Sequence, residues 1–288
     1  MSTAQRAVSE MSETIYTPDS HLGFRWSAWR RMFGEAISAR GLTWRLFVRQ
    51  ISSRYRQSVL GYFWAVIPAI LTVVTFTLLN RARVVDIGQT DIPYPAYVLL
   101  GMTVWQLFSN GISVAGQSLA SARSMITKVR FPYESIVLSA FGQSVLDFLI
   151  RLVLVVAVFA WFGVVPARTV FLVPAVLLGL SLLTIGLGYL LAIANAIFRD
   201  VGHGVAVVMT FGMFVTPVVY PPPESWPMVL INYVNPVSPF VIATHDLTTK
   251  GYLTHPGALA LGCVVAVLLF LIGWRTFHLA VPRIVERV

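Results

Sequence analysis

The chain has 288 residues, of which 57% are hydrophobic and only 11% charged, with a formal net charge of +9. That charged share is about half of what an ordinary soluble domain carries, which excludes a soluble globular fold. The positive balance is not a nucleic-acid signature, because most of the 21 lysines and arginines sit in short segments flanking long apolar runs, where membrane proteins concentrate them.

In chain order, residues 1–22 are polar and mixed in charge, without the apolar centre of a secretory signal, and read as a disordered cytoplasmic tail. Residues 23–57 form an amphipathic region. Trp26, Trp29, Phe33 and Ile37 recur at helical spacing; after Gly41, Trp44, Phe47, Val48, Ile51 and Tyr55 do so more strictly. Arg45, Arg49 and Arg56 occupy the other face, and Arg54 belongs to the same basic stretch. This pattern predicts an arginine-rich interface helix lying along the membrane with its apolar face among the headgroups. A soluble helix packed on a partner protein is the alternative, and a partner on the polar face would reconcile the two.

Residues 58–288 read as a transmembrane domain. Apolar runs long enough to cross a bilayer, about 18 residues or more, are expected at 62–79 (containing Pro68), 96–115, 136–162, 169–198, 203–219 and 258–278. Residues 226–242 are apolar but interrupted by Asn232, Asn235, Pro236 and Pro239. They are too short and too broken to span, so an interfacial or re-entrant hairpin is expected there. The fold class is therefore all-α, a polytopic membrane protein with six transmembrane helices, an N-terminal interface helix and a re-entrant segment before the last helix. Six spans put both termini on one side. Segments on that side hold 16 lysines and arginines and the opposite loops hold four, Arg81, Arg83, Arg168 and Lys250. The bias places both termini in the cytoplasm of a multi-pass protein of the cell inner membrane.

The residues present limit the chemistry. The two lysines, Lys128 and Lys250, both lie outside any G-x-x-x-x-G-K-[ST] loop, so the chain does not cradle nucleotide phosphates by that route. A pump of this kind needs a second subunit or an ion gradient. Asp147 and Arg151 are the candidates for a functional charge inside a predicted span. Four residues apart, they share a helix face and either neutralise each other or border a transport path. One such pair is too little for a proton or sodium relay. Histidines 21, 203, 245, 255 and 278 are scattered, and the single cysteine, Cys263, lies in an apolar run, so no metal or cofactor is expected in this chain. His245-Asp246 is the nearest approach to a reactive pair and reads as part of a solvated loop. No G-x-S-x-G elbow occurs, and an intramembrane enzyme is the weaker class. Phe63, Tyr97, Trp105 and Phe108 lie in or beside the first two spans, where aromatics anchor in the membrane interface. The same rings stack on sugars while tolerating sliding, and would suit the lining of a polymer channel.

Four motifs then stand in order. Arg54-Tyr-Arg-Gln-Ser-Val-Leu-Gly-Tyr-Phe-Trp64 opens the first span and Asn195-Ala-Ile-Phe-Arg-Asp200 turns between the fourth and fifth. Thr216-Pro-Val-Val-Tyr-Pro221 ends the fifth, and Asn235-Pro-Val-Ser-Pro-Phe240 follows it. The set resembles the membrane permease subunits of ABC polysaccharide exporters, the Wzm/TagG-like O-antigen and teichoic-acid permeases, from about residue 40 to the C-terminus. The resemblance implies a homodimer enclosing a channel for lipid-linked polysaccharide, with two copies of a cytoplasmic ABC ATPase that bind ATP and Mg. It further implies that Arg123, Lys128, Arg130, Phe131, Tyr133 and Glu134 form an ATPase-coupling segment, with Arg199 and Asp200 in the neighbouring turn. The interface helix would cap the inner entrance, and residues 226–242 would form gating helices on the outer side. A related permease for a drug, small molecule or lipid is the alternative implied cargo.

Overall fold

Proline and glycine punctuate the chain where its helices begin and end. The structure, a computed structural model, describes residues 26–55, 66–82, 88–122, 132–198 and 200–285. Helices α1 (Trp26–Ser38) and α2 (Arg40–Tyr55) precede α3 (Ile67–Arg81), α4 (Tyr94–Ser121) and α5 (Glu134–Trp161). A 3₁₀ turn, Arg168–Leu172, leads into α6 (Val173–Ile197), followed by α7 (Val201–Val215), α8 (Ile231–Val234), α9 (Ser238–Thr249) and α10 (Pro256–Val285). No strand occurs among the described residues. Helices α3, α4, α6 and α9 carry proline in their first turn, where its missing N–H costs no intrahelical bond. Pro68 thus starts its helix rather than interrupting it. At the end of α5, Gly163 takes φ +67°, and Val164 N–H donates to the Phe159 carbonyl at 2.9 Å. That closure satisfies a carbonyl the ending helix would otherwise orphan.

Among the described residues, four helical segments are long and apolar enough to cross a membrane: Tyr94–Ser121, Glu134–Trp161, Arg168–Ile197 and Pro256–Ile284. They fall on the expected second, third, fourth and sixth spans and make this a multi-pass membrane protein. Two shorter apolar helices, α3 and α7, lie at the expected first and fifth positions with 15 residues each. At 1.5 Å per residue each covers about 22 Å, less than the ~30 Å hydrocarbon core. The fourth expected span gains a 3₁₀ start, and the last runs seven residues beyond 278, to Val285.

Helix α4 is the centre of the bundle: 72% of its apolar window is buried, against 33% or less for the other three. It packs on α5, α6, α3, α7 and α9, and α6 packs in turn on α10. Glycines permit the closest crossings. A Cβ at Gly273 of α10 would collide with the Gly186 carbonyl of α6, and one at Gly186 would meet the Phe270 backbone at 2.6 Å. Between membrane helices the solvent is as apolar as the side chains, so association relies on close packing of small residues.

The N-terminal helices depart from the expected pattern in two ways. The bend falls at Ala39 rather than at Gly41. The face turned to the bundle is also rotated: Leu46 is buried, Phe47 lies against Gly142 of α5, and Gln143 donates to the Gln50 side-chain carbonyl at 2.9 Å. Trp44 and Val48, assigned by spacing to one apolar face with Phe47, point outward. Periodicity marks apolar positions but does not say which meet protein and which meet lipid. In α1, Trp29 and Phe33 pack edge-on against Trp274 of α10, at 6.1 and 4.7 Å between ring centroids.

The expected tail at 1–22 lies outside the described residues, as do Phe63, Arg56, Arg123, Lys128, Arg130, Phe131, Arg199 and the side chain of Arg54.

Candidate functional site

The polar groups gather at the two ends of the bundle. At one end, Asn195 near the C-terminus of α6 donates through Nδ2 to the Gly116 carbonyl of α4 at 3.3 Å. Its Oδ1 accepts from the Gly202 N–H at 3.1 Å. The first N–H groups of a helix have no internal partner, so Asn195 both caps α7 and ties the α6–α7 turn to α4. Asp200, at the start of α7, is exposed and contributes its backbone carbonyl to Gly204 N–H. At the same end, Nδ1 of His278 lies 2.7 Å from Oε1 of Glu134. Glu134 is buried, so it joins the start of α5 to the end of α10 instead of standing free at the rim. Tyr133 beside it is half-buried.

The opposite end is organised by α9. Its residues from Ser238 to Thr248 are all buried. The helix includes His245 and Asp246, 5% and 2% exposed, which overturns the expected solvated loop. The helix continues past the interrupted segment because Pro239 sits in its first turn, where proline is tolerated. His245 stacks on Tyr97 of α4, ring centroids 4.1 Å apart and planes 23° from parallel. Asp246 pairs with Lys250 at 3.1 Å, and its Oδ2 accepts from Thr254 N–H at 2.7 Å. Lys250 also approaches Asp91, which precedes α4, at 3.6 Å. Burial disfavours the Lys250 ammonium, but Asp246 and then Asp91 outweigh it and hold the group above its ordinary lysine pKa. Gly251, at φ +84°, ends α9 by donating to the Asp246 carbonyl. Thr169 Oγ1 and Ala167 N–H donate to the Leu247 and Thr248 carbonyls, fixing the start of α6 to the same place.

We expect Lys250→Met to strand a carboxylate that is 2% exposed, destabilising the protein by about 1–3 kcal/mol. A thermal melt in detergent checks this, with Lys250→Arg restoring most of the loss. A melting point unchanged by Met would mean Thr254 alone suffices for Asp246.

Two sequence motifs meet at this end. Asn235 Nδ2 donates to Thr216 Oγ1 at 2.8 Å, and Asn235 Oδ1 accepts from Val237 N–H at 3.0 Å. Tyr94 and Tyr97 donate through their hydroxyls to the Val219 and Tyr220 carbonyls, at 3.0 and 3.1 Å. Gly101 belongs to the same contact, since a Cβ there would collide with the Val218 carbonyl.

The expected polymer contacts Tyr97, Trp105 and Phe108 are 5%, 5% and 4% exposed and belong to the main core. Trp105 lies against Phe108, and a Cβ at Gly212 of α7 would stand 3.1 Å from its ring. Asp147 and Arg151 are buried on successive turns of α5. Arg45 and Arg49 are exposed on α2. Spacing missed Asn195, His278 and the Lys250 pairings. The local signals were an amide inside an apolar run and a lysine four residues after an aspartate, one helical turn. Among the described residues, no three metal-binding side chains cluster.

Residues 41–246 match the ABC-2 type transporter family. This chain belongs to that family. It is 31% identical over 192 residues to the O-antigen export system permease protein RfbA of Myxococcus xanthus, covering 66% of this chain and 72% of that protein. Two proteins of the same name from Klebsiella pneumoniae are 24% and 23% identical over 245 residues, 83% of this chain and 91% of each of theirs. All four motifs lie inside the matched stretch of this ABC-2 transporter. The Asn235–Thr216 bond joins the last two directly, and Asn195 of the second motif builds the α4–α6–α7 junction. The α10 half of the Glu134–His278 contact lies beyond the match.

Proposed function

We propose that this ABC-2 protein is the transmembrane permease subunit of an ATP-driven exporter that moves lipid-linked, O-antigen-like polysaccharide across the inner membrane. The observation that carries the reading is the alignment with three O-antigen export permeases over most of their length. Two permease copies enclose the channel, and two ABC ATPase subunits bind ATP and Mg on the cytoplasmic side. Six spans cross the bilayer, with α3 and α7 as the first and fifth, and residues 226–242 with α9 form a re-entrant gate at the outer end. Both termini lie in the cytoplasm, which puts the Asn195–Glu134 end inside and the Lys250 end outside, in keeping with the charge count.

The coupling segment, from Arg123 through Lys128, Arg130, Phe131 and Tyr133 to Glu134, seats on the ATPase with Arg199 and Asp200. Glu134 contributes by anchoring the segment's far end to His278. Phe63, Tyr97, Trp105 and Phe108 are the aromatic candidates for polymer contact. The last three would meet sugar only where α4 parts from α7 and α9. Asp147 and Arg151, sharing a buried face of α5, act as a structural pair.

The test is reconstitution in lipid nanodiscs. The chain alone should hydrolyse no ATP, and hydrolysis should appear when the cognate ATPase subunit is added. In cells, deleting the permease should remove surface glycan and accumulate lipid-linked polymer in the inner leaflet. Hydrolysis by the pure chain, or normal surface glycan without it, would sink the reading.

A further inference from the structure

Helices α1 and α2 carry six arginines against one acid, Glu35. Their surface divides into three lengthwise faces. Met32, Ala39 and Leu46 are buried, with Phe47 and Gln50 against α5. At 100° per residue, Phe33, Ile37, Trp44 and Val48 follow one another along the flank next to this face, on both sides of the bend at Ala39. They are 50%, 63%, 63% and 43% exposed. Arg45 and Arg49 come next round the helix and are also exposed.

We propose that this flank and its arginines form a docking surface for anionic phospholipid headgroups, so that the N-terminal helix pair selects acidic lipids around the bundle. The occupant follows from the pairing of the two faces. A soluble partner seated on the arginines alone would leave Trp44 and Ile37 facing water beside it. A bilayer accommodates both: the apolar row enters at the acyl boundary while the guanidinium groups meet phosphates. Zwitterionic lipid satisfies the apolar row equally well, so the arginines supply the selectivity. A basic residue at an anionic surface gains about a fivefold preference, and since Arg49 also has a partner within the protein, the pair should favour acidic lipid by at least about fivefold at low salt. Glu35, half-buried on α1, lies on the other side of the bend from Arg45 and Arg49 and already has a partner within the protein.

The inference does not depend on the exported cargo or on ATP hydrolysis. Its test uses the full-length chain in nanodiscs containing brominated phosphatidylglycerol or brominated phosphatidylcholine as a minor component in unlabelled phosphatidylcholine. Trp44 quenching is read as the difference between the wild type and Trp44→Phe. Brominated phosphatidylglycerol should quench Trp44 well beyond brominated phosphatidylcholine. Arg45→Gln with Arg49→Gln should erase the difference, and the corresponding Lys pair should restore it. Equal quenching by the two lipids in the wild type overturns the proposal. So does a Gln pair that keeps the lipid preference but loses ATPase co-purification, which would assign the arginines to the protein partner. The Lys pair guards against misfolding as an explanation, since it preserves charge and length.

Discussion

Trp105→Ala is expected to cost this permease its packing before it costs any contact with polymer. The ring is 5% exposed, lies against Phe108, and faces Gly212 of α7 across a gap that a single Cβ would close to 3.1 Å. Truncation leaves a void of roughly 140 Å³, and at about 24 cal/mol per Å³ the loss is on the order of 3 kcal/mol. Trp105→Phe keeps most of the volume and should cost about a third as much. Size-exclusion profiles and melting points of detergent-extracted protein would reveal the difference, with surface glycan measured in parallel. The informative outcome is dissociation of the two readouts. An alanine variant that melts like wild type yet exports nothing would return Trp105 to the polymer path. Parallel loss of both readouts is the result expected of a core residue.

Gly273→Leu should have a comparable effect for the opposite reason, overpacking rather than a void. The α6–α10 crossing is backbone against backbone: a Cβ at Gly273 meets the Gly186 carbonyl, and Gly186 faces the Phe270 main chain. A flexible side chain could yield, but two helices must move apart. We expect a cost at or above the upper end of the usual 1–3 kcal/mol for overpacked cores. Separation of the helices also forfeits the close dispersion contacts on which membrane helix association relies. Gly257→Leu is the internal control, since nothing lies within 4 Å of a Cβ there. If Gly273→Leu and Gly257→Leu yield folded protein equally, the close crossing is not a determinant of the fold.

The amino-acid sequence by itself determined the solvent and the local conformation. Apolar runs longer than a bilayer requires can be satisfied only as helices in lipid, because no water is present there to pair with the backbone. Proline and glycine mark several helix ends by conformational preference alone. The absence of a phosphate-binding loop is equally a property of the sequence, and the four ordered motifs were sufficient to suggest the family. Length and composition assigned full spans to 62–79 and 203–219, where the structure has apolar helices of only 15 residues each, α3 and α7. They also placed His245 and Asp246 in a solvated loop, whereas both are buried in α9.

Only the tertiary structure decided what each polar residue is for. Asn195 acts on Gly116, 79 positions earlier, and His278 on Glu134, 144 positions earlier. Neither partner is implied by local spacing. Asp246 could be buried because Lys250, Thr254 and the end of α9 arrive together to satisfy it. The same holds for apolar residues. Trp44 and Leu46 are both apolar, but one faces outward and the other is buried. In lipid a hydrophobic side chain is stable on either side of a helix, so hydrophobicity fixes the span but not its rotation. That rotation is set by where glycines admit another backbone and where buried donors find acceptors, conditions met only when the whole bundle has assembled.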